Sequence, residues 1–125
     1  MLVAITAQLK DYLFCFKINK ALSVNFIKID DHELVFAAPK PVSYFSKYQY
    51  KPAELDTEFY IIANKGTDGF LIPEMMKVDY FLLIRNYVDV EDLRLMISSI
   101  NRIPEIVVAA EVDPKKLKSK ENLIF

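Results

Sequence analysis

Two carboxylates, Glu74 and Asp79, stand five residues apart with Met75, Met76, Lys77 and Val78 between them. If that stretch turns, the pair can approach, and paired carboxylates suit acid–base work or a divalent cation. The competing reading is structural: Pro73 fixes the turn, Glu74 is solvated and Asp79 accepts hydrogen bonds from neighbouring loop amides. Tyr80 then packs in the core with its hydroxyl bonded. A second polar set, Asp11, Tyr12 and Asn19, falls on a predicted helix and could line a pocket beneath whatever covers it. Alternatively, Asp11 and Asn19 serve the backbone of that covering segment. Cys15, the single cysteine, lies on an apolar arc without a partner base, and is expected to be a small core residue.

The run Asp30-Asp31-His32-Glu33 lacks the spacing of an EF-hand loop and reads as a solvated turn. It holds the only histidine, so Ser–His and Cys–His catalysis would both depend on one exposed residue. One histidine with one cysteine cannot build a thiolate–imidazole zinc site, and neither a metal nor a cofactor is expected. Lys40, Lys47 and Lys51 alternate with Tyr44, Phe45, Tyr48 and Tyr50, the mix that single-stranded nucleic-acid binders use for phosphates and bases. An aromatic lid with outward lysine stems has the same composition and is the preferred reading. Asp113 to Lys120 reads as a capped, basic helical turn. The apolar end Leu123-Ile124-Phe125 docks either on its own domain or on a partner, with self-docking favoured.

The 125 residues fit one domain, and a hydrophobic share of 53% supports a full core without staples. With 16 basic and 17 acidic residues the net charge is −1, so no global field draws the chain to nucleic acid or anionic lipid. The first residues lack the basic start and cleavage site of a secretory signal, and no apolar run approaches a membrane span. A reducing, cytoplasmic setting is expected.

Elements must position these groups. Leu2 to Ala7 is a β-permissive run, and Gln8 to Leu22 is helical with apolar residues on two opposite arcs. Leu9, Tyr12, Leu13 and Phe16 form one arc; Phe14, Cys15, Ile18, Ala21 and Leu22 form the other. Such a helix is expected to be covered on both sides. Val24–Ile29 and Leu34–Ala37 read as a hairpin about the acidic turn, and the proline-interrupted Pro39–Pro52 as the cover. Thr57–Asn64 and Val78–Asn86 read as strands, the latter apolar on both faces and therefore central. Asp89 caps a helix to about Arg102 with Val90, Leu93, Met96, Ile97 and Ile100 inward, and Ile106–Val112 is a last strand. The order predicts an α+β domain resembling the split β-α-β arrangement of ferredoxin-like folds, with two main helices and an inserted hairpin and cover segment. Ile72-Pro73-Glu74 recurs as Ile103-Pro104-Glu105, which suggests shared turn chemistry.

The stretch Ile72-Pro73-Glu74-Met75-Met76-Lys77-Val78-Asp79-Tyr80 resembles the signature of the IPExxxVDY family of bacterial proteins. Lys10-Asp11-Tyr12, Cys15, Asn19 and Lys118 to Leu123 extend the resemblance over nearly the whole chain. Phe16 departs from it, because the family tends to carry tryptophan there, and so does the short N-terminal lead. The resemblance implies a single α/β domain and transfers no mechanism. The expected function is that of a non-catalytic cytoplasmic module that binds a protein partner or itself, through the first helix, its cover (Tyr44, Phe45, Tyr48) or Leu123–Phe125. The alternatives are a small-ligand regulatory domain using Asp11, Tyr12, Asn19, Glu74, Asp79 and Tyr80, and an RNA-binding module. No membrane association is expected.

Overall fold

The computed structural model describes residues 1–35, 41–86 and 89–125. Strands β1 (Leu2–Ala7), β2 (Ile27–Val35), β3 (Val42–Tyr50), β4 (Glu58–Ala63), β5 (Tyr80–Arg85) and β6 (Ile106–Val112) form one sheet in the order β2-β3-β4-β5-β1-β6. Every neighbouring pair is antiparallel. Two helices, α1 (Asp11–Leu22) and α2 (Val90–Asn101), accompany it. The chain is thus an α+β protein with a mostly two-sided sheet, and β5 lies inside it, as the apolar run Phe81 to Ile84 predicts.

The period-2 alternation of the strands divides the core between two faces. On one face Val3, Ile5, Ile61, Leu82 and Ile84 pack with Phe14 and Ile18 of α1 and Leu93 and Ile100 of α2. On the other, Leu2, Ala4, Phe45, Tyr60, Ile62 and Phe81 pack with Leu71, Ile72, Val78, Leu117 and Leu123. No helix covers this second face among the described residues. Two irregular stretches do so, residues 64–79 and 113–125, each containing short 3-10 turns.

Five expectations fail here. The acidic run is not a turn: β2 continues through it, and a register shift between Ile29 and His32 absorbs the Asp30–Asp31 pair. The hairpin is made one strand later, by β2 and β3, with part of its connection outside the described residues. The described part of Pro39–Pro52 is not a cover, because Val42–Tyr50 joins the sheet between β2 and β4; Phe36 to Lys40, with the end of the expected second hairpin strand and the start of the expected cover, lie outside the described residues. In consequence α1 is covered on one side only. Tyr12 and Phe16 are 64% and 62% exposed, and Leu13 is exposed beside them. The arc was apolar enough to be buried, but the segment assigned to bury it finds backbone partners in the sheet instead. Val90, expected inside α2's core face, is likewise exposed, one residue past the Asp89 cap that accepts from the Glu91 N–H at 2.7 Å.

An asparagine near the C-terminal end of each helix engages the backbone of a neighbouring residue through both halves of its amide. Asn19 donates to Phe26 O at 3.1 Å and accepts from the Phe26 N–H at 2.7 Å. Asn101 donates to Ala109 O at 2.9 Å and accepts from the Ala109 N–H at 2.8 Å. The carboxamide offers one donor and one acceptor side by side, as a neighbouring strand would. The Ile-Pro-Glu echo is shared turn chemistry too: Met75 N–H donates to Ile72 O and Ile106 N–H to Ile103 O, both at 3.0 Å, with each isoleucine buried.

Candidate functional site

The end of β1, the start of α1 and the entry to β5 meet around an open cleft of about 530 Å³. Ala7 to Asp11, Ser46, Ala63, Lys65, Asp79 and Tyr80 line it. Each acid is anchored through one oxygen. The Ala7 N–H donates to Asp79 Oδ2 at 2.7 Å, and Tyr48 Oη donates to Asp11 Oδ2 at 3.0 Å. Tyr80 Oη donates to Leu9 O, and its ring stacks on Phe14 with centroids 4.1 Å apart and planes 6° from parallel. Burial, with the nearby carboxylates, raises the phenols of both Tyr48 and Tyr80 above their ordinary value. They stay neutral donors and hold the β1–α1 turn. Lys10, Lys65, Asp11 and Asp79 make no ion pair among the described residues.

The sequence-predicted ligand residues therefore separate. Asp11, Asp79 and Tyr80 converge on the cleft, whereas Tyr12 faces solvent and Asn19 is committed to Phe26. Glu74 is not Asp79's partner: it accepts from the Ser119 N–H and from Ser119 Oγ, both at 2.8 Å, tying the loop to the C-terminal segment. Burial works to raise its carboxyl, but hydrogen bonds from the backbone and from Ser119 outweigh this and hold it below the usual range. The pairing that acid–base work would need is absent because each carboxylate stabilises a different loop, in keeping with the structural reading of Asp79 as an acceptor of a backbone N–H. Among the described residues no group of three or more His, Cys, Asp or Glu could hold a metal ion. Cys15 is buried and its thiol is pushed up to about 11, chiefly by burial and by Asp11, so it is a poor nucleophile.

The aromatic partner candidates also divide. Phe45 and Tyr48 are buried on opposite faces of the sheet, so neither is available to stack on a base or a partner, while Tyr44 is exposed. Leu123 is buried and Ile124 is 74% exposed. The Phe125 ring meets His32 and Tyr60 edge-on, with Lys47 and Arg85 over its faces at 4.2 and 4.4 Å. The C-terminal segment thus docks on its own sheet.

Sequence reasoning passed over one residue that organises these surfaces, Asn64, and misplaced another, His32. Asn64, fully buried, donates to Met75 O and Val78 O and accepts from the Ile72 N–H, holding the loop from Ile72 to Val78 in shape. Its only signal was a polar residue ending a strand before a glycine-containing loop. His32 was placed in solvent, yet is 5% exposed, because the register shift turns it onto the second face. No family model matches the chain, and no curated protein or solved structure matches it.

Proposed function

We propose that the chain is a non-catalytic cytoplasmic module of the IPExxxVDY family that acts by homo-association through the outer flank of α1. The observation that carries this is the exposed pair Tyr12 and Phe16, one helical turn apart with the exposed Leu13 beside them, on the flank of α1 that faces away from the core. Lys20, also exposed, continues the stripe at the same spacing. The stripe is self-complementary: two α1 helices packed antiparallel about a two-fold axis at Phe16 would set each Tyr12 ring against the partner's Lys20. The engagement of Glu74, Asp79 and Cys15 in structural contacts supports a non-catalytic role. For the architecture, β4, β5, β1 and β6 with α1 and α2 on one face fit the ferredoxin-like split β-α-β arrangement, β2 and β3 being a hairpin added at the edge.

Sedimentation of the purified protein over a range of concentrations tests the reading. The wild type should self-associate, and Phe16→Glu should be monomeric with the thermal midpoint that the wild type approaches on dilution, because the side chain is exposed in the lone chain. A wild type that stays monomeric, or a variant that associates equally well, would remove it. The convergence of Asp11 and Asp79 with Lys10 and Lys65 supports a second reading, a small-ligand site for a zwitterion such as a free amino acid. That reading requires the twenty common amino acids, screened singly, to include one that raises the thermal midpoint of the wild type but not of Asp79→Asn.

A further inference from the structure

The chain's only histidine is also the point where the C-terminal segment is fastened to the sheet. His32 Nε2 lies 2.7 Å from Asn122 O. A carbonyl oxygen only accepts, so Nε2 carries the ring proton and a second proton would enter at Nδ1. The same ring packs edge-on against Phe125, with centroids 5.1 Å apart, and tilted against Phe45 at 6.5 Å. Other fastenings surround it: Asn122 Nδ2 donates to Leu71 O at 2.7 Å, Arg85 donates to Phe125 O, Leu123 is buried, and Ser119 is held by Glu74.

We propose that residues 119–125 form a pH-sensitive latch over the second face of the sheet, closed while His32 is neutral and released when its ring takes up a second proton. The surroundings are built for the neutral ring. Phe45 and Phe125 enclose it, and the basic groups that share the Phe125 site are Lys47 from β3 and Arg85 from β5. Tyr60 from β4 is neutral. The acids Asp30, Asp31 and Glu33 of β2 and Glu121 of the segment itself are exposed, as is Lys120, so solvent screens them. Burial depresses the imidazole below its ordinary value, with the Asn122 hydrogen bond opposing and Lys47 adding to the depression.

Linkage fixes the sign. If docking makes His32 harder to protonate, protonation makes docking harder by the same factor. The docked state holds its full advantage above the free-histidine value near 6.5 and loses it progressively as pH falls towards the docked value. A separation of one pH unit between the two corresponds to about a tenfold rise in opening. Glu74 adds a second release in the same direction, but only below the ordinary carboxylate range, where its hold on Ser119 is protonated away.

Because His32 is the sole histidine, one imidazole proton resonance reports its titration in the intact chain. Its midpoint should lie lower in the wild type than in the full-length double variant Leu123→Ser and Phe125→Ala, whose segment cannot dock. Amide exchange at Asn122 and Ile124, corrected for the intrinsic rate, should accelerate as pH falls from about 7.5 to about 5. In His32→Gln, which keeps an N–H for Asn122 O without a titrating group, that acceleration should vanish. Equal midpoints in the wild type and the double variant would overturn the proposal even if His32→Gln failed to fold, and so would opening in the wild type that ignores pH.

Discussion

Asn64 illustrates how much of this structure rests on single polar side chains. Its amide donates to Met75 O at 2.9 Å and to Val78 O at 2.8 Å, while its Oδ1 accepts from the Ile72 N–H at 2.8 Å. Replacement by alanine would leave a buried N–H and two carbonyls seeking partners, each costing about 1 to 3 kcal/mol where water cannot enter. We expect Asn64→Ala to lose about 3 kcal/mol in urea denaturation. A loss below about 1 kcal/mol would mean that burial of Leu71 and Ile72 alone holds the loop. Nearby, Gly66 has its own constraint: a Cβ there would sit 2.6 Å from Phe45 Cε1 and 2.8 Å from Ser43 Oγ. The glycine is required by close approach of a side chain, not by its dihedral angle.

At the scale of elements, the sheet has two edges, and β6 is the more apolar one, with Val107 and Val108 exposed. An unpaired apolar edge is a template for another chain. Asn101 blocks its middle by taking both backbone groups of Ala109. This is why self-association is assigned to α1 and not to strand addition. Asn101→Ala should cost about 1 kcal/mol and should also increase light scattering on heating, as the freed edge finds partners. Unchanged scattering would show that the exposed valines, not the backbone, govern that edge.

At the scale of the molecule, the two surfaces with a proposed role lie on opposite faces of one sheet. The α1 flank stands above the helix-side core, and the 119–125 segment lies on the other side. Packed layers are separated by about 10 Å, far enough for independent effects. Phe16→Glu should therefore abolish association while leaving the pH-dependent exchange of Asn122 and Ile124 as it is in the wild type. Loss of both together would point to a latch that closes only in the associated form.

The strands β1, β4, β5 and β6, the two helices, the central place of β5, the Asp89 cap and the self-docking of the C-terminal segment were legible because each follows from local pattern: apolar alternation, capping chemistry or a hydrophobic end. Tyr80 in the core and Cys15 as an inert thiol were legible for the same reason. The bare flank of α1, the burial of His32 and the tie of Glu74 to Ser119 were decided only by tertiary structure. Periodicity measures how apolar a face is, whereas coverage depends on where a distant segment finds its backbone hydrogen bonds. Val42–Tyr50 found them in the sheet, and that one choice exposed Tyr12 and Phe16, buried Phe45 and Tyr48, and left the C-terminal segment to cover the second face.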